Sequence, residues 1–168
     1  ATYASVVTAI TLILAKVVAW FISDSVSMLA TLVDSSLDLL ASLVNLIAVH
    51  HALQPADREH RFGHGKAEAL AGLGQSMFIA GSAGILLLQG ISRLINPRPL
   101  SEGFELGLGV MMFSIVATLL LMTFQRYVIR QTGSTAIKAD ALHYKTDLLV
   151  NGSVIVALVL TFYGWDII

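Results

Sequence analysis

The 168-residue sequence contains no cysteine, which excludes disulfides and thiolate metal ligands and leaves the redox compartment undetermined. Charge is also scarce. Only 12% of the residues are charged, about half the share that hydrates the surface of a soluble domain. A solvated globule is therefore excluded. Neither sign dominates: 10 Lys and Arg stand against 11 Asp and Glu, for a net charge of −1. No basic surplus is present to hold nucleic acid. No charged segment precedes the first apolar run, so residues 1–21 read as a span and not as a cleavable signal. A phosphate-binding Gly-rich loop, a Gly-x-Ser-x-Gly elbow and a His-Glu-x-x-His helix are all missing.

Apolar residues take up what charge leaves. They make up 56% of the chain, and the mean hydropathy is +0.79. They fall in runs of the length that crosses a bilayer, with spans predicted at 3–23, 26–51, 67–95, 104–129 and 135–163. The chain reads as an all-α membrane protein, a polytopic bundle of about five transmembrane helices with the lipid bilayer as its partner. Asp24 is placed as a helix cap between the first two spans, and Asn96-Pro97-Arg98-Pro99 stops the third. That third span is rich in small residues (Gly72, Gly74, Ser76, Gly81, Ala83 and Gly84), which let helix backbones approach closely. A polar loop covers 53–66. Arg58, Arg61 and Lys66 in that loop, with Arg126, Arg130 and Lys138, outnumber Arg93 and Arg98 on the opposite side. The excess places the loop and the amino terminus in the cytoplasm.

Some polar residues stand where apolar ones belong. Asp34 and Asp38 are four apart in the second span and share a helical face, with Ser27, Thr31 and Asn45 close to the same direction. The fifth span repeats the arrangement with His143 and Asp147, with Asp140, Tyr144 and Asn151 nearby. An aspartate at the centre of a membrane helix costs ~3 kcal/mol on insertion scales. Three of them need an offset, and a divalent cation supplies one. Three carboxylates and one imidazole form a four-ligand oxygen and nitrogen set suited to Zn²⁺. The competing readings are pairing with Lys16 or Lys145, or a proton relay. Lys145 projects from another face of its helix, and Lys16 lies near enough to a span end to snorkel. In the loop, Asp57, His60 and His64 form a second group, with Glu68 just beyond. Loop histidines are often merely solvated, so spacing alone makes this the weaker motif. His50 and His51 are given no chemistry.

Three segments carry a likeness to a known family: Asp34-Ser35-Ser36-Leu37-Asp38, Phe62-Gly63-His64-Gly65-Lys66-Ala67-Glu68, and His143-Tyr144-Lys145-Thr146-Asp147. In that order and on those elements, the sequence resembles the cation diffusion facilitator family, in particular its bacterial zinc/iron-efflux branch. The resemblance covers essentially the whole chain. It implies a transporter and not an enzyme, with Asp34, Asp38, His143 and Asp147 as the transported-metal site. It also implies a second metal site at Asp57, His60 and His64. Zn²⁺ is the expected ion, with Cd²⁺, Fe²⁺ and Co²⁺ as alternatives and no organic cofactor. Family members usually add a sixth span and a cytoplasmic α/β domain, neither of which this sequence contains. It is thus expected to be the transmembrane portion of a longer protein that forms a homodimer in the bacterial inner membrane.

Ligand protonation supplies a coupling scheme, because metal binding expels protons and protonation expels metal. With a reference pKa of about 6.5, histidine is the type of group that exchanges protons near neutrality, so His143 is expected to carry the coupling in secondary antiport against protons. A non-transporting membrane metal sensor or scaffold is the alternative, and an intramembrane metallohydrolase a more distant one.

Overall fold

The computed structural model describes residues 1–23, 26–58, 60–95 and 104–162. The expected cap at Asp24, the stop at Asn96-Pro97-Arg98-Pro99 and the end of the fifth span at Tyr163 lie outside them, as do the side chains of Ser27 and Arg93. Among the described residues all regular structure is helical. The elements are α1 (Thr2–Ser23), α2 (Val26–Ala52), α3 (Lys66–Ile95), α4 (Phe104–Thr132) and α5 (Thr135–Phe162).

The helices close into a ring. α1 packs on α2 and α4, α3 bridges α2 and α5, α5 completes the circle against α4, and α2 also meets α5 directly across it. Each inward face follows from spacing. α1 buries Ser5, Ala9, Leu12 and Ala19, while Tyr3, Val7, Ile10, Leu14, Val18 and Phe21 face outward. Steps of three and four residues keep one face of a helix toward its neighbours. In α4 the buried set is Ser114, Thr118, Leu121, Met122 and Gln125, and in α5 it is Ala136, Ile137, Asp140, His143 and Tyr144. The outer surface is apolar and the interior mixes small and apolar side chains with many polar ones. Among the described residues the largest fully buried side chains are polar: Gln125, Asp140, Ser5 and Ser42. That distribution reverses a soluble protein's and suits a bundle whose solvent is lipid.

Two glycines set the joints at which left-handed backbone is required. Gly133, at φ 67°, ends α4 with its N–H donating to the Ile129 carbonyl at 2.8 Å. Ser134 then caps α5, its Oγ accepting from the Ile137 N–H at 3.2 Å. Gly63, at φ 78°, turns the loop between His60 and His64.

The helices differ in hydropathy and in how their small residues pack. Among the described residues four helices, α1 to α4, are long and apolar enough to cross a membrane by length and composition. α5 matches them in length, but it carries Lys138, Asp140, Lys145 and Asp147. Its place in the bundle is set by packing on α2, α3 and α4. Of the small residues of α3, Gly72 does sit at a helix contact, where an added Cβ would lie 3.8 Å from the Thr135 carbonyl oxygen and 4.0 Å from Ala139 Cβ. Gly74, Gly81 and Gly84 face open space. Residues two, nine and twelve places from Gly72 fall on other faces of the helix, so smallness alone does not mark the packed side.

Candidate metal site

α2 and α5 meet across the ring at a polar patch. The inward stripe of α2 runs through Ser35, Asp38, Ser42 and Asn45, again at steps of three and four. Ser35, Ser42 and Asn45 are buried, and Asp38 keeps 25% of its side-chain exposure. On α5, His143 retains 4% and Asp147 33%. His143 Nε2 lies 3.0 Å from Asp38 Oδ1 and 3.6 Å from Asp147 Oδ2. One ligand atom from each of Asp38, His143 and Asp147 falls within 4.8 Å of the others. Phe78 of α3 packs edge-on against the His143 ring, with centroids 5.7 Å apart. Two carboxylates and an imidazole thus converge on one point, with an aromatic ring packed against the imidazole.

Asp34 does not join this trio. It is an exposed residue at the flank of the α2 stripe, whose inward position at that level is Ser35. The four-residue spacing from Asp38 holds, but four residues overshoot a full helical turn, so that Asp38 meets His143 of α5 while Asp34 stays exposed.

The loop group is also drawn together. His60 Nδ1 and His64 Nε2 lie 3.3 Å and 3.4 Å from the two oxygens of Asp57, and the Asp57, His60 and His64 ligand atoms gather within 4.8 Å. The backbone N–H of His60 donates to Asp57 Oδ1, and Gly63 N–H to the His60 carbonyl at 2.9 Å. The tight turn places the two rings 4.4 Å apart. His51 stacks on His64 at 5.4 Å, so this residue of α2 borders the loop group. Among the described residues these are the two groups of three or more His, Asp or Glu with such convergence.

The sequence as a whole has relatives among known proteins. The sequence profile of the family described as the cation efflux transmembrane domain matches residues 2–168. The chain belongs to the cation efflux family. Among curated relatives, the cation-efflux pump FieF of Citrobacter koseri is 53% identical over 165 residues, covering 98% of this chain and 55% of that protein. FieF of Salmonella arizonae is 51% identical over the same coverage of 98% and 55%. FieF of Klebsiella pneumoniae is 54% identical over 154 residues, 92% of this chain and 51% of the relative. The chain spans about half the length of the curated relatives it matches. These relatives are named as pumps, so the family is one of transporters and not of enzymes.

Within this cation efflux domain, several polar residues have structural duties that the sequence reading missed. Asp140 does not face the trio. Its Oδ2 accepts from Ser5 Oγ and from Gln125 Nε2, each at 2.7 Å, knotting α1, α4 and α5 together. Tyr144 bonds Ser42 at 3.0 Å and donates to the Ser5 carbonyl at 3.3 Å, adding α2 to the same knot. The signal was available: Ser5 and Gln125 are polar residues in apolar spans, subject to the same insertion cost as the aspartates. Glu68 is not part of the loop group. It accepts from Ser134 Oγ and from the Ala136 N–H, so a carboxylate of α3 caps the amino end of α5. Lys145 lines an outer groove with Arg126 and Lys138, away from His143. Lys16 behaves otherwise than expected and turns into the bundle, its Nζ donating to Ser35 Oγ at 2.6 Å.

Proposed function

We propose that this chain is the membrane part of a divalent-cation exporter, with Asp38, His143 and Asp147 as its core transport ligands and Zn²⁺ as the preferred ion. The observation that carries the reading is the convergence of these three side chains from α2 and α5 within 4.8 Å. Residues 105 apart in sequence meet at 3.0 Å in a place where an unpartnered carboxylate is costly. Asp34, one turn away on α2, completes the set when the two helices rotate slightly about each other. Imidazole with carboxylates suits Zn²⁺, and Cd²⁺, Fe²⁺ and Co²⁺ are the other ions this donor set accepts.

Export runs as exchange with protons. An ion loads from the cytoplasmic side onto ionised carboxylates and neutral imidazole, and protons arriving from outside displace it. The bundle rocks about the α2–α5 contact between the two steps, the general transporter motion about a site near mid-membrane. The amino terminus and the 53–66 loop face the cytoplasm of a bacterial inner membrane, and the longer protein works as a homodimer. Asp57, His60 and His64 form a loop site on the loading side.

The deciding experiment is Zn²⁺ calorimetry on the purified chain in two buffers of different ionisation heat, beside Asp38→Ala/Asp147→Ala. Loss of a proton-releasing binding event in the double variant supports the reading. Binding and proton release that persist unaltered would move the metal to the loop and refute it. His143→Asp replaces the softer ligand and is expected to weaken discrimination against Mn²⁺ in vesicle uptake.

A further inference from the structure

Lys16 lies in the inward register of α1, four residues after buried Leu12 and three before buried Ala19. A lysine stem can reach a membrane boundary and leave its charge in water. This one is half-buried and points across to α2, where Nζ donates to Ser35 Oγ at 2.6 Å and to the Thr31 carbonyl at 3.1 Å. Both acceptors are neutral, and neutral acceptors alone offset little of the cost of taking an ammonium out of water. The carboxylates that act on it electrostatically are Asp34, Asp38 and Asp147. Ser35 stands beside Asp34 and one turn before Asp38, so the two bonds hold the ammonium on the stretch of α2 that carries both aspartates. An ammonium has no lone pair and cannot be a ligand while charged. Its influence on a bound ion passes through space and through the carboxylates.

The charge count gives that influence a purpose. Once Asp34 joins Asp38 and Asp147, as proposed above, the three carboxylates and a neutral imidazole carry three negative charges, and a doubly charged ion leaves one of them uncancelled inside the bilayer. The Lys16 ammonium cancels it. We propose that Lys16 is the fixed counter-charge of this site, a positioning residue that matches the cluster to divalent ions. The proposal rests on the cation-transport reading of Asp38, His143 and Asp147 with Asp34 as the fourth ligand. Its physical signature is selectivity by ion charge. Repulsion between a fixed positive charge and a bound ion scales with the charge of the ion, so removing it favours a trivalent ion over a divalent one.

The test measures Tb³⁺ and Cd²⁺ binding to the purified chain, in a His60→Ala/His64→Ala background that silences the loop group. Lys16→Gln removes the charge but keeps an amide donor, and Lys16→Met gives the same reading should the amide fold poorly. Lys16→Arg keeps the charge. We expect the ratio of Tb³⁺ to Cd²⁺ affinity to rise about tenfold or more on charge removal and to stay within about twofold in Lys16→Arg. Metal-free melting curves compare the folding of the variants. An unchanged ratio in Lys16→Gln with Cd²⁺ binding intact overturns the proposal and leaves the transport reading standing. So does an equal shift in Lys16→Arg, because charge would then not be the cause. Failure of the Lys16 background protein itself to bind Cd²⁺ would remove the transport reading and this proposal together.

Discussion

Asp38→Asn separates a metal ligand from a structural partner, because the two roles predict effects of opposite sign. Asp38 Oδ1 lies 3.0 Å from His143 Nε2, and its side chain is 25% exposed. An asparagine of the same shape can still bond the imidazole, so the helix contact survives. Without metal, the substitution removes a charge whose burial costs up to ~3 kcal/mol at mid-membrane. The metal-free variant is thus expected to be as stable as the parent or more so by about 1–2 kcal/mol. With metal the order reverses. At an ion concentration about 100 times the parent Kd, binding adds about 2.7 kcal/mol of stability. Loss of a charged ligand is expected to weaken binding about a hundredfold, since even outer partners of ligands are worth 10–100-fold. The variant then gains only about 0.4 kcal/mol at the same concentration. At about 2–4 °C per kcal/mol for a chain of this length, the metal-induced rise in Tm falls from roughly 5–11 °C to about 1 °C. Melting curves in detergent with and without Zn²⁺, in the loop-silenced background, give both numbers. A full metal-induced rise in Asp38→Asn, or a metal-free variant weaker by several kcal/mol, would show Asp38 to be structural.

Three further outcomes are expected. Gly63→Ala forces a side chain into the left-handed region at φ 78°, which costs about 1–2 kcal/mol and should weaken Zn²⁺ binding at Asp57, His60 and His64 by about tenfold; calorimetry of an Asp38→Ala/Asp147→Ala chain isolates that event, and unchanged affinity would mean the turn does not form the site. Gln125→Leu removes one of the two donors to the buried Asp140 carboxylate and should cost about 2–3 kcal/mol in thermal stability. Zn²⁺ affinity at the α2–α5 cluster should meanwhile change less than about threefold, because Asp140 stands apart from it; a large affinity loss would place Asp140 in the site. Acidification from about pH 7.5 to pH 5.5 should weaken Zn²⁺ binding by at least about tenfold, since protons and metal compete for the same ligand atoms and affinity therefore rises with pH. A flat binding profile over that interval would exclude the exchange scheme.

The predicted spans and the described helices agree closely because both follow from local facts. Long apolar runs must form helices in lipid, where no water satisfies the backbone, and polar segments must leave it. The pairs Asp34/Asp38 and His143/Asp147 were visible for the same reason, since three- and four-residue spacing fixes a shared face without knowledge of any other helix. The family likeness was equally local, resting on three short segments in order. α5 was harder to place by hydropathy, because Lys138, Asp140, Lys145 and Asp147 dilute its apolar content.

Spacing could not say which face meets which. That Asp38 lies 3.0 Å from His143 while Asp34 stays at the flank depends on how α2 is rotated against α5, and that rotation is set by packing around the whole ring. The same holds for Lys16, whose reach permits either the membrane boundary or the interior until Ser35 and Thr31 on another helix supply acceptors. Glu68 stood just beyond the loop group in sequence and became the cap of α5 once Ser134 and Ala136 lay beside it. Asp140 looked like a neighbour of the metal ligands and became the knot of three helices through Ser5 and Gln125. The sequence by itself determined the helices, their membrane setting and the residue types available for metal. Only the tertiary structure decided which of those residues share a point in space, because helix periodicity is a property of one segment and the choice of partner belongs to all five.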